Sequence, residues 1–215
     1  MFLKRKIKKE LYNYRHRYQE LNWIISYLER NRLEYGVLGG FCLSVLKNTT
    51  ANDIDIIVDD EIESLKRMVK EYGLNYSIND YGSIKIKTKD GFTIDLWTLK
   101  DHIIQTSTLK EVIYTIDLSL SAIMYTPKRL YTCKRFFSDF KNKTISYNNF
   151  YTIDENTIVR LIDFVAEGYS PTIEMINVIK QTEIDFKNAC NRYRKKYSKI
   201  VSRNTEAFLN LLGYV

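Results

Sequence analysis

Apolar positions near the start of the chain recur at spacings of three and four. Leu11, Tyr14, Tyr18, Leu21, Ile25 and Leu28 form one stripe, which predicts a helix over 3–32 with Lys and Arg on its opposite face. Those charges fit a solvated face or an RNA-facing edge. The pattern breaks at "EYGVLGGF", where Gly36, Gly39 and Gly40 predict a tight turn, and "FCLSVLK" (41–47) then reads as a short helix. "DIDIIV" reads as a strand. The stretch 60–73 reads as a helix with acidic residues in its first turn and Gly73 at its end.

Three strand-like runs follow at 74–78, 83–89 and 92–99, separated by the turns "NDYG" and "KDG"; Asp90-Gly91 is a hairpin signal. Residues 108–115 read as helical, and periodicity does not decide between helix and strand for 118–126 and 129–133. From Glu155 the pattern is helical to Gly168, restarts with a Ser170 cap and Pro171 at the first helical position, and ends in a short helix near 203–212. The expected organisation is an N-terminal helix (1–32), a mixed α/β core (33–150) and a helical tail (151–215).

Composition narrows the class. The chain has 215 residues and is 45% hydrophobic, with two Pro and eight Gly, which suits a folded core and argues against a long disordered segment. A formal charge of +7 and a pI near 9.1 favour a polyanionic partner such as nucleic acid, or serve solubility alone. Three scattered cysteines (Cys42, Cys133, Cys190) without a CxxC fit reduced thiols in the cytoplasm. The two histidines, His16 and His102, are not near a cysteine, which argues against zinc. No apolar run reaches the roughly 20 residues of a membrane span, and "MFLKRKIKKE" lacks the apolar core of a signal peptide.

One local feature needs a chemical reason. In "ANDIDIIVDD", Asp53 and Asp55 share a face of a strand whose other face carries Ile54, Ile56 and Val58. Two carboxylates so close repel unless positive charge lies between them. In "FTIDLW", Asp95 lies on the polar face with Thr93, and neighbouring strands would let three carboxylates converge. Such oxygen ligands suit Mg²⁺ or Mn²⁺, and two ions about 4 Å apart would clamp the attacking and leaving oxygens of a phosphoryl transfer. Gly39-Gly40 stands just before a short helix, where backbone N–H groups can approach phosphate; Ser44 and Lys47 lie on or just after that helix.

In that order, "LGGFCLSVL…NDIDIIV…FTIDLW" resembles the nucleotidyltransferase fold of the DNA polymerase beta superfamily. The likeness extends toward the head domain of bacterial poly(A) polymerases and CCA-adding enzymes. "TIDLSLSA" (115–122) is similar to that family's "RRDFTINA", matching Asp117, Ser119 and Ala122. Residues 154–172 resemble its neck segment, matching Asp154, Arg160, Phe164 and Ala166. The chain departs from the family at Leu43, Ser44, Thr115, Ile116, Ser121 and Thr157, where the family has residues that hold the triphosphate or brace the site. It also stops short of the family's usual helical body.

The resemblance implies a nucleotidyltransferase fold with a mixed sheet. Asp53, Asp55 and Asp95 are then catalytic and metal-binding, while Gly39, Gly40, Ser44, Lys47, Asp117, Ser121 and Arg160 are on the nucleotide side. The implied reaction moves a nucleoside monophosphate from an NTP to a hydroxyl, with an RNA 3′ end, such as that of a tRNA, as acceptor. A toxin-type or small-molecule-modifying transferase and a non-catalytic RNA-binding module remain as alternatives. Asp117 equally suits a structural brace, and Arg160 an ion pair with Asp154 or Asp163 on its own helix. Trp97 packs or stacks a base, and "NRYRKKYSK" (191–199) is an RNA contact or a solvated helix end.

Overall fold

The computed structural model describes residues 2–79, 81–101, 104, 106–149, 154–181, 188, 189, 191, 192 and 195. The expectations for His102, for Cys190, for most of 191–199 and for a helix at 203–212 lie outside them. Among the described residues no helix is long and apolar enough to cross a membrane.

The chain forms two compact units, Met1–Tyr114 with Ile123–Thr132, and Thr115–Ala122 with Cys133–Val215. The grouping differs from the three-part division read along the sequence. The N-terminal helices belong with the sheet, and 115–122 leaves the first unit for the second.

In the first unit the stripe over 3–32 is split between α1 (Phe2–Arg17) and α2 (Gln19–Arg30), which pack on each other. Between them Tyr18 takes an extended backbone (φ −117°, ψ 105°), and its ring stacks on Phe92 at 4.3 Å. Because Tyr18 stays buried, the apolar stripe runs on through the break, so periodicity does not reveal it.

The other elements are β1 (Tyr35–Leu38), α3 (Gly39–Lys47), β2 (Asp53–Val58), α4 (Ile62–Glu71), β3 (Tyr76–Ile78), β4 (Ile84–Lys87), β5 (Thr93–Thr98), α5 (Leu109–Thr115), β6 (Ile123–Tyr125) and β7 (Leu130–Thr132). The sheet order is β3-β4-β5-β2-β1-β6-β7. β2 and β5 pair in parallel and the other neighbours are antiparallel, as expected for a mixed sheet.

The predicted turn at 36–40 is in fact strand β1 running into α3, and every β1 residue is buried. Gly36 sits mid-strand because Met124 of β6 lies over it, so that a Cβ there would run into the Met124 sulfur. The undecided stretch 118–133 contains a strand pair, β6 with β7.

The second unit contains α6 (Phe136–Asn142), β8 (Thr144–Ile145), α7 (Glu155–Ala166), β9 (Ser170–Pro171) and α8 (Ile173–Lys180). A capping box opens α7. Asp154 accepts from the Thr157 N–H at 2.8 Å, and the Thr157 hydroxyl accepts from the Asp154 N–H. The expected Ser170 cap is instead a two-residue strand paired with β8, and Thr172 caps α8 by accepting from the Met175 N–H at 3.3 Å. Pro171 therefore precedes the helix rather than opening it.

Candidate active site

The two strands carrying the carboxylates are neighbours. Across the parallel β2–β5 pair, Asp55 stands opposite Asp95 and Asp53 opposite Thr93. Register partners in a parallel pair point to the same side, and residues two apart share a face. Asp53, Asp55 and Asp95 therefore lie on one face, while Ile54, Ile56, Ile94 and Leu96 are fully buried on the other. Asp53 is exposed and Asp55 and Asp95 half-buried, and Ile57 further along the same face of β2 is buried. The face is thus open at its Asp53–Thr93 end. Trp97, half-buried, is on the face of Asp95.

The Gly pair borders this face. Gly39 has φ +27°, a left-handed backbone that favours glycine, and opens α3 directly behind β1. A Cβ built on Gly40 would stand 3.8 Å from Asp53 Oδ1. The N-terminus of α3 has no side-chain cap, and its backbone N–H groups bring positive potential to the carboxylates. Ser44 is half-buried within α3, where its carbonyl accepts from the Thr49 N–H at 2.9 Å. Lys47 is in the last turn, at the far end of α3 from the Gly pair.

Asp95 already holds a cation. Lys85 is opposite it on the antiparallel β4–β5 pair, with Nζ 3.3 Å from Asp95 Oδ2, and Ser83 Oγ donates to Oδ1 at 2.9 Å. Asn79 fixes Ser83 by accepting from its N–H at 3.0 Å. Among the described residues no three His, Cys, Asp or Glu side chains gather closely enough to grip a metal as they stand. The donors nevertheless fit a hard cation in kind, being carboxylates on one strand face beside a helix N-terminus. The ammonium on Asp95 shows that this carboxylate accepts a positive partner.

Sequence reading missed the residue that secures the start of β2. The Tyr14 hydroxyl on α1 accepts from the Ala51 N–H at 2.8 Å and donates to the Ala51 carbonyl at 3.2 Å, two residues before Asp53. Burial holds this phenol above its ordinary pKa. The Tyr14 ring meets Phe41 of α3 edge-on at 5.1 Å and Phe92, just before β5, at 5.5 Å. One side chain thus touches the helix, the loop and the strand lead-in that bear the site. Lys85 was also missed, although the hairpin signal at Asp90-Gly91 sets the register that places it opposite Asp95.

The remaining predicted residues belong to the second unit. Asp117 is 3% exposed and accepts from the Leu118 N–H at 2.8 Å and the Thr157 hydroxyl at 2.5 Å, and Arg160 closes an ion pair with it. Arg160 thus meets Asp117, which stands outside its own helix. Ser121 is half-buried in a turn, its N–H bonded to the Leu118 carbonyl at 3.1 Å. Cys42 and Cys133 are buried free thiols, and burial pushes Cys42 up to about 12, which leaves it unreactive at neutral pH.

This architecture recurs in solved structures. The Thermotoga maritima CCA-adding enzyme complexed with tRNA matches with a TM-score of 0.70 at 19% identity, over 91% of this chain and 51% of that one. A CCA-adding enzyme in complex with CTP matches with a TM-score of 0.69 at 18% identity, over 91% and 52%. The fold is that of a nucleotidyltransferase. That fold is shared with these CCA-adding enzymes. A CCA-adding enzyme in complex with ATP matches at 19% identity and a TM-score of 0.68, over 88% and 49%. The chain spans about half the length of these structures. No family sequence profile matches it, and neither does any curated protein.

Proposed function

We propose that the protein transfers a nucleoside monophosphate from an NTP to the 3′ hydroxyl of an RNA, with pyrophosphate leaving. The observation that carries this reading is the register of β2 and β5, which sets Asp55 opposite Asp95 with Asp53 on the same face. Asp53, Asp55 and Asp95 would hold Mg²⁺ or Mn²⁺, which supplies charge neutralisation on the phosphates and a lower pKa for the acceptor hydroxyl. The N–H groups at Gly39-Gly40 would receive the triphosphate, next to Asp53 and the cation that the carboxylates would hold. Lys85, half-exposed on Asp95, would give up that carboxylate to a divalent cation and could then reach toward the phosphates. Trp97, on the same face, offers a ring to a base. Asp117 and Arg160 brace the second unit in this reading.

The fold match supports transferase chemistry, and the bound CTP, ATP and tRNA in those relatives, together with the basic charge, support NTP and RNA as partners. A second reading keeps the chemistry and changes the acceptor to a protein or a small molecule. It is favoured by Leu43, Ser44, Thr115, Ile116 and Thr157, which stand where the family has residues that hold the triphosphate or brace the site.

The test is incubation of the protein with each α-labelled NTP, Mg²⁺ or Mn²⁺, and separate pools of tRNA, total RNA and protein. Label in RNA that disappears with Asp53→Ala supports the first reading, and label in protein or a small molecule supports the second. Thermal stabilisation by Mn²⁺ plus NTP, absent in Asp53→Ala, distinguishes an enzyme from a non-catalytic module. Equal labelling by Asp53→Ala removes the carboxylate mechanism.

A further inference from the structure

The first helix is strongly basic. The seven Lys and Arg of α1 against its single Glu leave +6, and residues 191–203 carry a further six Lys and Arg with no Asp or Glu. The placement of these side chains is ordered. Phe2, Arg5, Lys9, Tyr12 and His16 recur at spacings of three and four, so they form one stripe, and all five are exposed, with Lys8 beside them. Phe2 is 82% and Tyr12 59% exposed, and Tyr12 meets His16 edge-on at 4.3 Å.

We infer that this stripe is a docking surface for an RNA strand. Alternating cations and rings are what a single-stranded segment demands: ammonium and guanidinium groups for the phosphates, aromatic faces for unpaired bases. At about 1.5 Å per residue the stripe runs about 20 Å, enough to follow several phosphates.

An anionic membrane would attract the same charge. A helix that lies on a bilayer buries its apolar face in lipid, however, and here that face is used within the fold: Ile7, Leu11 and Tyr14 are buried. What remains outside is cationic, with two isolated rings, and suits a polyanion that is contacted rather than entered.

The inference rests on the RNA-acceptor reading and adds a place where the acceptor is held. Tyr14, on the buried side of the same helix, bonds Ala51 just ahead of Asp53. A strand held on α1 is therefore held on the element that secures the start of β2.

The experiment uses the full chain, a fluorescein-labelled tRNA transcript, and vesicles of phosphatidylserine and phosphatidylcholine. Lys8→Gln/Lys9→Gln and, separately, Tyr12→Ala are compared with wild type. The double variant is expected to bind the transcript about tenfold more weakly near physiological salt, with the slope of log K against log salt shallower by about 1.5. Tyr12→Ala is expected to lose about tenfold with the slope unchanged, as for a stacking contact. Stabilisation by Mn²⁺ plus NTP stays at the wild-type level in both. Unchanged RNA affinity in both variants, with label still entering RNA, overturns the docking surface and spares the acceptor reading. Wild-type protein that binds and labels no RNA overturns both. Binding to vesicles that is lost in Lys8→Gln/Lys9→Gln while RNA binding persists assigns the surface to lipid and overturns the proposal.

Discussion

Asp117 and the trio Asp53, Asp55 and Asp95 sit in opposite surroundings. Asp117, in the second unit, is almost wholly buried, with Arg160, the Thr157 hydroxyl and the Leu118 N–H around it. Its charge is compensated from inside the protein, as a buried carboxylate requires. Asp53, Asp55 and Asp95, in the first unit, share an open strand face beside a helix N-terminus, and the cation on Asp95 is a half-exposed lysine that can leave. A carboxylate closed off by permanent partners holds a fold together. One that faces water, with a removable partner, is available to something that comes and goes.

The largest effect is expected where the difference is sharpest. Asp55→Asn keeps the shape of the side chain and removes its charge, so nucleotide transfer should fall by about a thousandfold or more, as for loss of a group acting in the transition state. Its urea midpoint should stay near that of wild type. Asp117→Ala should do the reverse. Breaking a buried ion pair costs about 3–5 kcal/mol, and since Arg160 reaches water the loss here should be about 2–3 kcal/mol in urea unfolding. If Asp117→Ala proves as stable as wild type and Asp55→Asn unfolds, the division between bracing and working carboxylates is wrong.

How far the sequence could be read follows the same physics. Alternation through Asp53–Ile56 and Phe92–Leu96 showed the strands and the polar face, because one face of each is wholly apolar. Local signals misled where a distant neighbour decides. Gly36 looks like a turn residue, yet it is in a strand because Met124 fills the space above it. The break at Tyr18 leaves no trace in the apolar stripe because its ring stays buried against Phe92. Ser170-Pro171 looks like a helix start until it pairs with β8. The partners of Asp117 and Asp95 were hidden for a related reason. Arg160 is 43 positions from Asp117, and Lys85 meets Asp95 only once the hairpin register is known.

Tyr14 offers a finer test, because it belongs to the fold and serves the site. Tyr14→Phe retains the ring contacts with Phe41 and Phe92 and removes the bonds to both backbone groups of Ala51. A cost of about 1–2 kcal/mol in urea unfolding is expected, since a buried N–H and carbonyl lose their partner. The Mn²⁺ concentration needed for half-maximal transfer should also rise several-fold, because Asp53 stands two residues from the loosened backbone. A stability loss with no change in that concentration would make Tyr14 a core residue only, and the site would lose its tie to α1.

The smallest effect concerns the ammonium that Asp95 now holds. Lys85 and an arriving divalent cation compete for the same carboxylate oxygens, so removing the ammonium should ease metal loading. The pair is partly exposed, with the two side chains 45% and 19% accessible, and such pairs are worth at most about 1 kcal/mol. Lys85→Gln should therefore lower the half-maximal Mg²⁺ concentration by about two- to fivefold, read in the same transfer assay, with little change in stability. Should transfer at saturating Mg²⁺ also fall, Lys85 acts on the phosphates after leaving Asp95 and is more than a placeholder. A rise in the Mg²⁺ requirement would run against competition altogether. It would mean that the lysine organises Asp95 for the metal, and the carboxylate's partner would then be part of the working site.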